Sequence, residues 1–474
     1  MLSPRTIIQS MEIVDKTHLL IDNPIDSSYG VTIQDFDADG LLEIFVATQN
    51  GPNHLYKWSN GGFVEVTPNH LKDAACCAIS VTAGDLTRNG LPDIYVLNAG
   101  TFSGSLTEPD RLFVNLGDLH FEDMLVAHPD RNIAAGRSVC WTDPTNSGWY
   151  APYIVNYGAP NMLYVNDGRG YFRNEAPVGH GLGAIVGGRT AISQDLFDTG
   201  RMDIVVLNEG GPNLLFRNRE EAYEECAAAL GLDDPDEHGR GLAVCDFNRD
   251  GLMDLVYVNW QGPHRAMQQL IEGGFVDVAS PALAAPSSAR NLIAADLDND
   301  GWEELFINNH GEANRLLKWI DGEFVEIDCG AMLLPDGTGT GASCGDLDSD
   351  GMLEIYVCHG ESMEQRNRLF SCAQNDNHWV RIQPLTPAGA PAIGARVQIR
   401  FERPMTRFID GGSGYLCQME PVAHFGLGAI TELPEVHIRW SDRTEALFRN
   451  LPIDRLTQIP HPNSLEEFRS QGSS

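Results

Sequence analysis

The sequence predicts an all-β protein, a seven-bladed β-propeller followed by a small C-terminal β-sandwich. Three observations carry that prediction: an acidic motif that recurs seven times, the β-branched and aromatic runs that flank each copy, and a change of pattern after Asn375. The copies are DFDADGLLE from Asp35, DLTRNGLPD from Asp85, DPTNSGWYA from Asp143, DLFDTGRMD from Asp195, DFNRDGLMD from Asp246, DLDNDGWEE from Asp296 and DLDSDGMLE from Asp346. Their first aspartates are spaced 50, 58, 52, 51, 50 and 50 residues apart. A period of that length marks a repeat architecture, in which each unit buries its apolar face against the next.

Within the first copy, GVTIQ, EIFVATQ, HLYKW and FVEVT read as four short strands, separated by the acidic loop and by the turns NGPN and SNGG. Such runs bounded by Gly, Asn and Pro are the strand signature, and four of them make one blade. Seven blades closed into a ring leave no exposed sheet edge. Residues 20–372 are therefore assigned to the propeller. Beyond Asn375, Val397, Ile399 and Phe401 alternate with Arg396, Gln398 and Arg400, the period of a half-buried strand. With WVRIQ from Trp379, VHIRW from Val436 and ALFRN from Ala446, residues 375–462 read as a small β domain, and 463–474 as a polar tail.

Composition narrows the function classes. A chain of 474 residues, 42% apolar with 48 glycines and 26 prolines, is neither disordered nor collagenous. The formal charge of −34, from 32 basic and 66 acidic residues, argues against nucleic acid and anionic membrane surfaces as partners. No run approaches the roughly 18 to 20 apolar residues of a membrane span. The opening MLSPRTIIQSMEIVDKTH lacks the basic stretch and apolar core of a secretory signal. If Met1 is the true start, the expected compartment is the cytoplasm; the alternative is export by a route without a visible signal peptide. A monomer is expected. The ten cysteines form no CxxC pair, and Cys140, Cys245 and Cys344 in apolar runs read as reduced core thiols. The adjacent Cys76 and Cys77 are assigned no role.

The acidic loops carry the clearest chemistry. Oxygen ligands at positions 1, 3 and 5, a Gly at 6 and a carboxylate at 9 suit a hard divalent cation, above all calcium. An EF-hand would need Glu at position 12, where this chain places strand residues such as Val46, Val96 and Ile307. Three copies are complete: Asp35, Asp37, Asp39 and Glu43; Asp296, Asp298, Asp300 and Glu304; Asp346, Asp348, Asp350 and Glu354. The fifth, Asp246, Asn248, Asp250 and Asp254, substitutes one amide oxygen, and the second, Asp85, Thr87, Asn89 and Asp93, forms a weaker site. The third copy has Thr145, Ser147 and Ala151, and the fourth has Phe197 at position 3, so both are expected to be metal-free turns. Four calcium sites and a weaker fifth are thus expected, with calcium as a structural cofactor. Asp and Asn also favour tight turns without binding anything. That reading fails for the complete copies, where four carboxylates would repel one another without a cation.

These loops, with their Gly-x-x-Asp/Glu ending, resemble FG-GAP or VCBS-type propeller repeats, as in integrin α-subunit heads. NHW at Asn377, IGARV at Ile393, GGSGYLCQ at Gly411 and HFGLG at His424, followed by VHIRW, resemble the ASPIC/UnbV domain. The pairing is similar to the CRTAC family, named for cartilage acidic protein and present in bacteria too. One departure is local: the Pro-Asp-Gly that usually follows the tryptophan is Ser441-Asp442-Arg443. The resemblance implies calcium-binding extracellular or surface proteins used in adhesion or recognition, and bacterial relatives in natural-product gene clusters. Members are usually exported, whereas this chain shows no signal.

A second regularity lies on the opposite face. Six residues before the first Asp stand Arg137, Arg189, Arg240 and Arg290 in four consecutive repeats, with Tyr29, Ile79 and Thr340 in the others. Neighbouring turns bring Tyr157, Glu209, Trp260, His264, His310, His359 and Glu361 toward the same rim. An arc of guanidiniums at the channel mouth suits a carboxylate, sulfate or phosphate. Equally, each Arg could staple one blade to the next, and both readings stay open here. Tyr415 and His424 read as core or turn residues. HExxH, P-loop and GxSxG signatures are absent, and GTGTGA from Gly337 lacks a βαβ context. The favoured function is a calcium-stabilised recognition protein binding a protein or an anionic glycan on the arginine face. The alternative is an enzyme of specialised metabolism, in which the arginines grip an anionic small molecule while Tyr157, His310 or His359 serves as acid or base.

Overall fold

The computed structural model describes residues 11–100, 108–166, 172–176, 181–220, 222–361 and 363–464. The predicted tail from 465 onward lies outside the described residues. The architecture is all-β and propeller-like. Five four-stranded antiparallel sheets and one eight-stranded sheet carry the repeats. The first sheet pairs Ser28–Gln34, Glu43–Thr48, His54–Ser59 and Gly62–Glu65 in sequence order, as the β-branched runs predict. The eight-stranded sheet joins the third and fourth repeats through Tyr157↔Gly187 and Pro160↔Ile185.

The first strands of the repeats are Ser28–Gln34, Ala78–Gly84, Gly136–Thr142, Ile185–Gln194, Gly239–Cys245, Ala289–Ala295 and Gly339–Gly345. Each lies beside the next, and the last lies beside the first. Strand Ile13–Asp15, ahead of the expected boundary at residue 20, pairs antiparallel with Arg368–Cys372 at the outer edge of the last sheet. That pairing covers an edge the repeats leave open. Apolar side chains fill the space between sheets: Val31, Ile33, Ile44 and Val46 of the first pack with Leu347, Tyr356 and Leu369 of the last. Each such side chain contributes ~1.5–3 kcal/mol of burial.

The C-terminal region has two sheets. One pairs Ala423–Gly428, His378–Pro384 and Leu456–Ile459; the other pairs Met405–Phe408, Arg396–Ile399, Glu435–Arg439 and Glu445–Arg449. They share their own core, including Val380, Ile382, Val397, Ile399, Phe425, Ile438 and Trp440.

One stretch of this region leaves its sheets and enters the repeats. Trp141 N–H donates to Gly411 O (2.8 Å), Leu242 and Gly414 exchange two bonds (2.9 and 2.8 Å), Val81 N–H donates to Leu416 O (3.3 Å) and Gln418 N–H to Val31 O (3.1 Å). Residues 411–418 therefore sit among the first strands, satisfying their inward-facing backbone groups. Gly414 is required there: its φ is +63°, and a Cβ would collide with the amide of Asn291.

Candidate functional site

The position-9 residue of each acidic loop lies directly across the strand pair from the residue preceding position 1: Gln34↔Glu43, Ala295↔Glu304 and Gly345↔Glu354 in the complete copies. This register brings acids eight residues apart to one mouth. A carboxylate oxygen from each of Asp35, Asp37 and Asp39 lies within 4.8 Å of the others, as do those of Asp296, Asp298 and Asp300, and of Asp346, Asp348 and Glu354. These three acidic clusters are candidate calcium sites. The donor set is all oxygen, and Asp296 Oδ1 and Asp346 Oδ1 are buried with no hydrogen-bond partner among the described residues. Both features fit a hard cation. Burial pushes Glu43 and Glu354 up to about 8, so neither carboxylate is comfortable as a bare charge.

In the fifth loop Asp246 accepts from Asp250 N–H and Gly251 N–H (both 3.0 Å), Asn248 donates to Asp250 (2.9 Å), and Asp254 Oδ2 is buried without a partner among the described residues. In the second, Asp85 accepts from Asn89 N–H (3.1 Å) and Gly90 N–H (3.0 Å), and Asp93 from Leu86 N–H (2.9 Å) and Thr87 N–H (3.2 Å). The third and fourth loops are taken up by the C-terminal region. Ser441 Oγ donates to Asp143 Oδ2 (3.1 Å), and Arg439 pairs with Asp195 and with Asp198 (2.6 Å). Ser441, the departure from Pro-Asp-Gly, thus has a partner that proline could not supply. Arg381 adds a buried contact between Asp346 (2.8 Å) and Glu420.

On the other face, every first strand carries a register shift near its start, and each arginine sits at one: between Gly136 and Ser138, Gly188 and Thr190, Gly239 and Leu242, Ala289 and Asn291. A bulge re-aims the side chain of the extra residue. The glycine before it admits the neighbouring sheet; a Cβ on Gly188 would collide with Val155. Arg137, Arg189, Arg240 and Arg290 all line one cavity of about 440 Å³, together with Tyr29, Glu209, Trp260, Glu361 and Tyr415. Six residues of strand separate the arginines from the acidic loops, roughly 20 Å.

Among the described residues, the lining holds four guanidiniums and two carboxylates. Glu209 pairs with Arg189 and with Arg240 (2.8 Å), and Glu361 with Arg290 (2.5 Å). Arg137 and Arg189 lie over the Tyr157 ring at 5.5 and 4.9 Å, and Arg290 over Trp260 at 4.2 Å. Burial lowers the Arg137 and Arg240 guanidiniums and draws Arg189 down to about 10. Arg240 Nε and Arg290 Nε are buried without partners among the described residues. Burial pushes the Tyr415 phenol up, but the guanidiniums of Arg189, Arg290, Arg240 and Arg137 outweigh it and leave the phenol below its ordinary value.

None of the three rim histidines is among the residues lining that cavity. His359 is buried, depressed to about 4 by that burial, and lines a second cavity with Leu334, Gly337 and Arg366. His310 stands 6.2 Å from Trp260 with Nδ1 3.3 Å from Gly339 O. His264 is enclosed between Asn259 N–H (3.1 Å) and Ser287 Oγ (3.0 Å). Tyr415 is the member that sequence reasoning passed over; its only local signal is the glycine-rich GGSGY that carries it. His424, read with it, is a buried structural residue against Asn299 (2.7 Å). All ten cysteines, Cys76 and Cys77 included, are free.

The comparisons agree with this layout. A model described as FG-GAP-like repeat matches residues 35–96, 195–257, 246–307 and 296–357, and one described as ASPIC and UnbV matches 386–466. Cartilage acidic protein 1 of Homo sapiens is 40% identical over 462 residues, covering 89% of this chain and 70% of that protein. The chain belongs to the cartilage acidic protein 1 family. The family protein of Xenopus tropicalis is 38% identical over 461 residues, covering 89% of this chain and 71% of its own. Among solved structures, the BP39L lectin from Burkholderia pseudomallei aligns with a TM-score of 0.51 at 12% identity, over 74% of this chain and 98% of the lectin. That likeness is one of fold. No helix among the described residues is long and apolar enough to cross a membrane.

Proposed function

We propose that this member of the family is a calcium-stabilised recognition protein. A seven-bladed propeller over residues 20–372, joined to a β-sandwich over 375–462, binds an anionic group displayed by a protein or a glycan in the arginine cavity. The observation that carries the reading is the charge imbalance among the described lining residues: four guanidiniums and two carboxylates, in a chain of net charge −34. A guanidinium fork holds a carboxylate or sulfate by two parallel bonds, and a partly desolvated setting strengthens them. Closure into seven blades is supported by the first strands lying side by side from first to last and back, and by the N-terminal strand on the last sheet. Calcium in the fifth loop is supported by the orphaned Asp254 oxygen. A second reading, an arginine-lined active site for a small anionic substrate, is favoured by the acidified Tyr415 phenol on the cavity wall.

Calorimetric titration of the calcium-loaded protein with a heparin-derived hexasaccharide, and separately with sodium sulfate, tests the first reading. The hexasaccharide should bind, and Arg240→Met should weaken it about tenfold, the scale of one charge-assisted hydrogen bond. Absence of binding by the unsubstituted protein to both probes, or binding indifferent to the substitution, overturns it.

A further inference from the structure

Each of the three complete acidic loops holds a lysine ammonium among its carboxylates. Lys57 Nζ bonds Asp37 and lies 2.7 Å from Asp39 and 3.1 Å from Glu43. Lys318 Nζ lies 2.7 Å from Asp298 and 2.8 Å from both Asp300 and Glu304. Lys16 Nζ lies 2.8 Å from Asp348, 3.6 Å from Asp350 and 2.6 Å from Glu354. In all three the ammonium addresses positions 3, 5 and 9 of the loop, the same oxygens a bound cation would share.

The lysines reach this place by two routes. Lys57 and Lys318 are equivalent third-strand residues, each opposite the position-9 glutamate when the register is extended by one residue. In the seventh repeat that position is Ser371, paired with Glu354, and the ammonium comes instead from Lys16, which follows the N-terminal strand. Two unrelated chain segments supplying one charge at one point is not a by-product of the repeat. Among the loops with oxygen ligands at positions 1, 3, 5 and 9 the occurrence also follows the charge; the fourth loop, with Phe197 at position 3, has Arg217 at the equivalent place, lying over the Phe197 ring at 3.8 Å. The three loops with four carboxylates have a lysine; the fifth, with three carboxylates and Asn248, has Gln268 at the equivalent position. With the ammonium counted, the complete loops and the fifth present the same net charge.

We propose that Lys57, Lys318 and Lys16 are tethered counter-ions, which hold their loops in the calcium-free protein and must be displaced for calcium to enter, so that the fifth loop fills first. The proposal rests on the reading that the acidic loops take calcium. Each lysine side chain retains some exposure, 20% for Lys57, 14% for Lys318 and 16% for Lys16. A flexible four-carbon stem lets the head leave for solvent while the carboxylates close on the metal. Calcium binding is then an exchange of cations, and its observed affinity is reduced by the strength of the ion pair it breaks.

The experiment is a calorimetric titration of CaCl2 into chelator-stripped full-length protein, with melting curves in chelator and in excess calcium. The unsubstituted protein should show one tight site, removed by Asp254→Asn, and a weaker class. Lys57→Met, Lys318→Met and Lys16→Met combined should tighten the weaker class at least about tenfold, while lowering the melting temperature in chelator and not in calcium. The single variant Lys57→Met, expected to fold in chelator, should tighten one weak site by the same factor. Weak-class affinity unchanged or reduced in Lys57→Met, with the unsubstituted protein binding normally, overturns the lysine proposal alone. Absence of heat and of any melting shift with calcium in every variant overturns the calcium reading beneath it.

Discussion

Gln418 offers the most demanding test of how the C-terminal region enters the repeats. Its side chain is fully buried. Oε1 accepts from Thr32 Oγ1 (3.0 Å) and Ala83 N–H (2.6 Å), and Nε2 donates to Ala83 O (2.9 Å) and Asp410 O (3.0 Å). Gln418→Met keeps the length and near-volume of the side chain but abandons all four partners. A buried polar group left unsatisfied costs ~1–3 kcal/mol, so four of them put the loss at about 4 kcal/mol at the low end. That is a large share of the 5–15 kcal/mol typical of a folded domain. Urea unfolding in calcium-replete buffer, followed by tryptophan fluorescence and circular dichroism, measures it as the free energy of the first transition, since the two regions need not unfold together. A loss below about 1 kcal/mol, with native spectra, would refute the docking of residues 411–418 among the first strands.

Two further outcomes follow from buried titratable groups. Spectrophotometric titration should show one tyrosine ionising below the ordinary range near 10; Tyr415→Phe should remove that component and Arg240→Met should move it up. His264 and His359 are held neutral by burial, at about 3 and about 4 against 6.5 when unfolded. Their contribution is complete above about pH 6.5 and is lost as pH falls toward 3 to 4, because only the unfolded chain takes up the protons. Asn161, Asn213 and Asn314 accept the same turn hydrogen bond in other repeats that His264 Nδ1 accepts here. His264→Asn should therefore preserve stability at pH 7.5 and flatten its decline in acid.

The acidic loops were legible because a nine-residue ligand pattern is local: backbone geometry alone delivers Asp35, Asp37 and Asp39 to one mouth, and an antiparallel register adds Glu43. The arginines were legible as a periodicity, since equivalent positions of a repeat share one environment. The bulge that turns each toward the cavity left no trace beyond a glycine in three of the four contexts. Other parts depend on contacts across the whole chain, which no local pattern encodes. Tyr415 joins arginines more than a hundred residues away because residues 411–418 meet unpaired backbone groups of the first strands. Lys16 reaches the seventh loop only because an N-terminal strand pairs with the last sheet. Asp143 and Asp195 are satisfied by Ser441 and Arg439, from a domain whose docking the repeats do not announce. What the sequence determined by itself is the repeat, its strands and which loops are acidic, all set by short-range geometry and period. Only the tertiary structure decided which cation each acid meets, because a charge is neutralised by whatever lies nearest in space.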